Sequence, residues 1–129
     1  MKVTPPARAA DRSAEHPGAP LAIQRAIHFM RSSLRRPLRM DEIARHVGLA
    51  SSRFDRAFRS ATRQSPKQML AQMRLERASE MLLMTNLTLE EVGAQAGMPC
   101  IRSFRRAFSA VHGITPARLR QVRDRLLAQ

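Results

Sequence analysis

The chain has 129 residues, with 23 Lys+Arg against 10 Asp+Glu, and so a formal net charge of +13. That length allows one domain or two very small ones, and a hydrophobic fraction of 43% excludes wholesale disorder. No apolar run approaches the roughly 20 residues of a membrane span, and the single cysteine, Cys100, excludes an intramolecular disulfide and any cysteine-built zinc site.

Arginine carries the charge, since Lys2 and Lys67 are the only lysines. Its planar fork suits bidentate contact with phosphate and with guanine edges. So large a charge on so small a chain points to nucleic acid or an anionic surface. The near absence of cysteine makes a reducing cytoplasm the expected compartment.

Residues 1–20 hold Pro5, Pro6, Pro17 and Pro20, four of the eight prolines. Such a stretch cannot bury enough apolar surface to offset its ordering entropy and reads as a flexible arm. From Leu21 the pattern is helical throughout. Ile23, Ala26, Ile27 and Met30 fall at i, i+3, i+4 and i+7, one apolar stripe, in a helix that Pro37 closes. Met40–Val47 follows, with Asp41 and Glu42 in the first turn and Gly48 as its stop. Ser51–Thr62 is the next helix, and Ser65-Pro66 opens a helix to Met84 by the cap-then-proline rule. Thr88 caps Leu89–Ala96, with Glu91 at the capping-box position and Gly97 after it. A helix over Pro99–His112 ends at Gly113, and Thr115-Pro116 opens a last one to about Ala128. No stretch alternates in strand fashion. The fold class is all-α, with about seven helices.

The informative feature is internal repetition. Phe54, Arg56, Ala57 and Phe58 recur as Phe104, Arg106, Ala107 and Phe108, and Ser65-Pro66 recurs as Thr115-Pro116, all at an offset of 50. Upstream, Met40, Val47, Gly48 and Leu49 pair with Leu89, Ala96, Gly97 and Met98 at an offset of 49. Each copy is a short helix, a glycine-containing turn and a second helix, the plan in which the second helix enters a major groove. The expected organisation is an arm over residues 1–20, a first helix-turn-helix subdomain over 21–65, a linker helix over 66–84 and a second helix-turn-helix subdomain over 85–129.

A helical wheel tests whether the second helices suit that work. At 100° per residue, Phe54, Ala57, Phe58 and Ala61 share one face. Ser52, Arg56, Arg59 and Arg63 oppose them, flanked by Asp55 and Arg53. In the second copy Phe104, Ala107, Phe108 and Val111 are of buried type; Arg102, Arg106 and Ser109 oppose them, flanked by Arg105 and Ile101. A basic face on one helix is usually just solvated. Two such faces on repeated motifs favour DNA contact. The helix between the copies, at about 1.5 Å per residue, spans roughly 28 Å. Successive major-groove faces on one side of B-DNA lie about 34 Å apart, and a modest bend in the DNA relieves the shortfall.

With these residues in hand, the sequence resembles the AraC/XylS family of bacterial transcription regulators, specifically its DNA-binding domain. The resemblance covers about residues 21–121. It rests on Phe54-x-Arg56-x-Phe58 with Ser65-Pro66, then Gly97, Phe104-x-Arg106-x-Phe108, Gly113-x-Thr115-Pro116 and Arg120. It implies a seven-helix fold of two subdomains joined by the long helix, with two recognition helices in adjacent major-groove segments. It also implies a transcription activator that touches RNA polymerase. The positions matching the family's base-reading sites are Ser52, Asp55 and Arg56, then Ile101, Arg102, Arg105 and Arg106; Arg53 and Arg59 complete the expected DNA-binding set. Four residues depart from the family pattern. Arg63 stands where glycine is preferred and should strain the turn, and Ala50 replaces a cap residue, leaving Ser51 or Ser52 to substitute. Met98 stands for a usual Phe and Leu119 for a usual Tyr, conserving packing volume. The chain reads equally as a stand-alone regulator or as the DNA-binding part of a longer parent.

Other chemistries carry little. His16, His28, His46 and His112 are scattered without metal-ligand spacing, so no metal or cofactor is expected. Cys100, near a helix start, invites a redox reading, but an inert side chain beside the DNA-facing helix is favoured. Met69, Met73, Met81 and Met84 read as adaptable core packing. No phosphate loop or nucleophile–base constellation appears, so an enzyme is not expected. The expected partner is double-stranded DNA, bound by a monomer on an asymmetric site in the cytoplasm, unless a further domain dimerises the protein. The competing expectation is a protein-interaction module with only weak, nonspecific DNA affinity. Its exposed faces would be more apolar.

Overall fold

Apolar residues at helical spacing, punctuated by glycine, proline and cap residues, give seven helices and no strand among the described residues 20–129 of the computed structural model. They are α1 (Leu21–Arg31), α2 (Met40–His46), α3 (Ser51–Thr62), α4 (Pro66–Met84), α5 (Leu89–Gln95), α6 (Ile101–His112) and α7 (Pro116–Leu127). The arm expected over residues 1–20 lies outside the described residues, Pro20 excepted. Two compact units form. The first holds the described residues up to Ser33 together with Leu38–Met69; the second holds Leu34–Pro37 and Leu70–Gln129. The division falls inside α4.

In the first unit, Ile23, Ala26, Ile27 and Met30 of α1 are buried, as their spacing requires, with Ile43 and Ala44 of α2 and Phe54 and Phe58 of α3. The two rings pack tilted, 5.6 Å between centroids. Here α1 ends at Arg31 and not at Pro37. Ser32 caps it, its hydroxyl donating to the Phe29 carbonyl, and the chain then turns. The cause lies far along the chain: Arg74 donates to the carbonyls of Leu34 and Arg36 at 3.1 and 2.9 Å, so the Leu34–Pro37 segment is held in the second unit.

That second unit is built on Leu75, Ala78, Leu82, Val92, Ala96, Phe104 and Phe108, with Met98, Ile101 and Leu119 packed against them. Met98 and Leu119 thus fill the places expected of them. Gly97, at φ +85, sits against the same Leu34 carbonyl; a Cβ there would lie 2.0 Å from the oxygen. Glycine is required. Thr88 and Glu91 form the expected capping box, at 3.1 and 2.9 Å, and the Thr88 N–H holds the Glu91 carboxyl below its ordinary pKa. The last carbonyls of α4, which have no partner within the helix, are closed from α7. Arg120 and Arg123 both donate to the Leu82 carbonyl, and Arg123 also to the carbonyl of Thr85 and the side chain of Asn86.

Four further expectations are corrected. Val111 is 52% exposed, and in the last turn of α6 it is His112 that meets the core, its ring 4.4 Å from that of Phe108. Met84, unlike Met69 and Met73, is exposed at the C-terminal end of α4. Ser51 and Ser52 do not cap α3: Ala50 is the N-cap residue, with no side-chain cap. The helix expected over Pro99–His112 starts at Ile101, since Cys100 takes the extended N-cap conformation.

Candidate nucleic-acid interface

A helix that reads DNA needs one face fixed by packing and another carrying polar forks that the protein itself does not consume. On α3 the phenylalanines supply the first. Ser52, Arg53, Arg56 and Arg59 are exposed on the other side, and Asp55 is half-exposed. On α6, Phe104 and Phe108 are fully buried while Arg102, Arg105 and Arg106 are exposed. Ile101 differs from its neighbours, being half-buried against the core of the second unit.

Arginines divide by what their guanidinium groups hold. Arg74, Arg120 and Arg123 are committed to backbone carbonyls at helix ends and turns. Burial pushes the pKa of Arg74 and of Arg120 below the usual arginine value, and the neighbouring charge of Arg123 adds to the effect at Arg120. By contrast, the side chains of Arg53, Arg56, Arg102, Arg105 and Arg106 hydrogen-bond to no described residue and form no ion pair with one. Arg59 is intermediate: its Nε lies 2.8 Å from Asp55 Oδ2, one turn back. Composition could not sort these three groups.

The helix starts differ in capping. Ser65 with Gln68, Thr88 with Glu91, and Thr115 cap α4, α5 and α7 with side chains. None of α1, α2, α3 and α6 has a side-chain cap. The first N–H groups and positive dipole end of α3 therefore remain open to a phosphate oxygen, whereas at α6 the Arg102 and Ser103 N–H groups face the Cys100 sulfur. At the α6 N-cap position, exposed Cys100 accepts a hydrogen bond from the Ser103 hydroxyl at 3.4 Å. That bond, with the Ser103 and Arg102 backbone groups and the Arg102 charge, holds the thiol below its ordinary pKa.

Two helices of a repeated motif, each with a buried phenylalanine pair and free arginines, form a helix-turn-helix pair, and a family profile described as a helix-turn-helix domain matches residues 22–122. The chain belongs to the AraC/XylS family. Among curated relatives of this AraC/XylS-family chain is the HTH-type transcriptional regulator ArgR of Pseudomonas aeruginosa, 30% identical over 94 residues, which are 73% of this chain and 29% of that protein. The xylose operon regulatory protein of Escherichia coli is 25% identical over 106 residues, 82% of this chain and 27% of its own. The chain thus spans under a third of these relatives. Among solved structures, the DNA-binding domain of AdpA in complex with a target DNA superposes with a TM-score of 0.75 at 24% identity, covering 78% of this chain and 91% of that one. An AraC-type regulator from Chromobacterium violaceum gives 0.76 at 24% identity, over 86% and 96%. These likenesses establish the all-α fold of the AraC/XylS DNA-binding domain. The relatives are regulators by name, and this module is a DNA-binding one and not an enzyme. No helix of the described residues is long and apolar enough to cross a membrane.

Proposed function

We propose that α3 and α6 read adjacent major-groove segments of a promoter, with Ser52, Asp55 and Arg56 on one segment and Ile101, Arg102, Arg105 and Arg106 on the other. The observation that carries this is the set of five arginines, Arg53, Arg56, Arg102, Arg105 and Arg106, left without an internal partner on two helices that are otherwise locked by buried phenylalanines. An unpaired guanidinium on a rigid helix can fork onto guanine O6 and N7 without first breaking a bond. Ile101 would offer the remainder of its surface to a thymine methyl, and Arg53 and Arg59 would take phosphates. Exposed arginine in place of apolar surface disfavours the protein-docking alternative.

The two faces differ in side chains, so the half-sites differ, and one chain occupies one asymmetric site of about two helical turns. The chain works in the cytoplasm on the nucleoid, and family resemblance supports activation through RNA polymerase. Sedimentation of the complex, with footprinting on a selected duplex, tests the central claim. One protein per duplex over an asymmetric footprint is expected. Two chains on a minimal palindrome would sink the tandem reading, and a flat response of affinity to salt would sink DNA binding altogether.

A further inference from the structure

The backbone at Arg63 has φ 65, and this is the only non-glycine residue with positive φ among the described residues. At the matching place after α6 stands Gly113, with φ 69 and ψ 12 against φ 65 and ψ 15. The two turns share one geometry, and a Cβ at Gly113 would meet nothing within 4 Å. Space therefore does not select between the two residues. An L side chain is strained in this region and glycine is not.

The strained turn is firmly held. Thr62 Oγ1 donates to the Phe58 carbonyl at 2.9 Å and accepts from the Gln64 N–H at 3.2 Å, and the Arg63 N–H donates to the Arg59 carbonyl at 2.8 Å. The side chain of Arg63 returns nothing for the strain within the protein. It is exposed, and it neither hydrogen-bonds to nor forms an ion pair with any described residue. Strain that the surrounding structure over-determines is characteristic of binding positions. Its location fits one partner. The twelve residues of α3 span about 18 Å, more than the roughly 12 Å width of a major groove. With the N-terminal turn on base edges, the C-terminal end reaches the flanking sugar-phosphate strand.

We propose that Arg63 grips a DNA phosphate beside the groove that α3 reads. The proposal rests on α3 being a reading helix, and deepens it by naming a contact outside the base-reading set. Arg63→Gly, in the full chain, is compared with the parent on a duplex selected by the parent and on a random-sequence duplex, each across a salt series. Thermal melting is followed in parallel. The variant is expected to melt no lower than the parent and to bind both duplexes about three- to tenfold more weakly, with a log–log salt slope shallower by about 0.9. Arg63→Asn, which tolerates the same backbone, should behave likewise, whereas Arg63→Lys should keep the slope. Parental affinity and slope in the glycine variant would overturn the proposal. So would a loss confined to the selected duplex, or a lowered melting point with the slope unchanged. If the parent itself shows no salt dependence, the reading of α3 fails together with the proposal; a steep parent matched by Arg63→Gly removes Arg63 alone.

Discussion

Arg63 and Gly113 close α3 and α6 in one left-handed geometry, within 4° of each other in φ, at 65 against 69. The equivalence isolates conformational strain from packing. Because a Cβ at Gly113 would touch nothing within 4 Å, Gly113→Ala should destabilise the chain by about 1 kcal/mol, through backbone strain alone. Urea unfolding measures it. A loss of several kcal/mol would mean that the added methyl meets something in solution.

The proposed base readout rests on the unpaired arginines. Arg56→Ala and Arg106→Ala should each cost about 1–3 kcal/mol on the selected site and relax the preference at one base pair. Competition binding against every substitution of that site gives the answer. Equal losses on selected and random duplexes would reassign that arginine to the phosphate backbone.

Much of the fold was legible in the sequence because local and tertiary demands agree there. Phe54, Phe58, Phe104 and Phe108, repeated at one offset, are all buried to within 1%, and Thr88 and Glu91 cap α5 as their spacing requires. Legibility failed where a distant residue decides. The end of α1 depends on Arg74, which is 40 residues from Leu34 in sequence. The commitments of Arg120 and Arg123 to Leu82 depend on contacts 38 and 41 residues apart. No periodicity separates such an arginine from one that faces solvent. Val111 failed differently: the wheel gives an angle but not which residue of the last turn meets the core, and there it is His112 on Phe108. The tie between Asp55 and Arg59 was readable, since i, i+4 pairs of opposite charge meet on a helix.

Cys100 offers a pH readout at the start of α6. The Ser103 hydroxyl and N–H stabilise the thiolate, so alkylation should reach half its limiting rate at a lower pH than for an unperturbed thiol. Ser103→Ala should move that midpoint upward. Labelling rates across pH report it directly, and coincident midpoints would remove the role given to Ser103. Bound duplex should slow the reaction, since Cys100 adjoins the reading face.

Asp55 is proposed to read a base, yet its carboxylate holds Arg59 at 2.8 Å. Both groups are about half exposed, so the pair itself contributes little to stability, and its consequence falls on binding. While Arg59 is tied to Asp55 it is drawn from the phosphates, and a carboxylate beside the groove repels them. Two results are possible for Asp55→Ala. If Asp55 mainly restrains Arg59, nonspecific affinity rises and the salt slope steepens by up to about 0.9, one more neutralised phosphate. If Asp55 instead accepts from a cytosine N4, affinity for the selected site falls and the preference at that pair disappears. The geometry permits both, because Arg59 takes Oδ2 and leaves Oδ1 open to a further donor. The Asp55→Ala, Arg59→Ala double-mutant cycle on a random duplex decides it: coupling is expected, and strict additivity would show that the pair does not act on DNA at all.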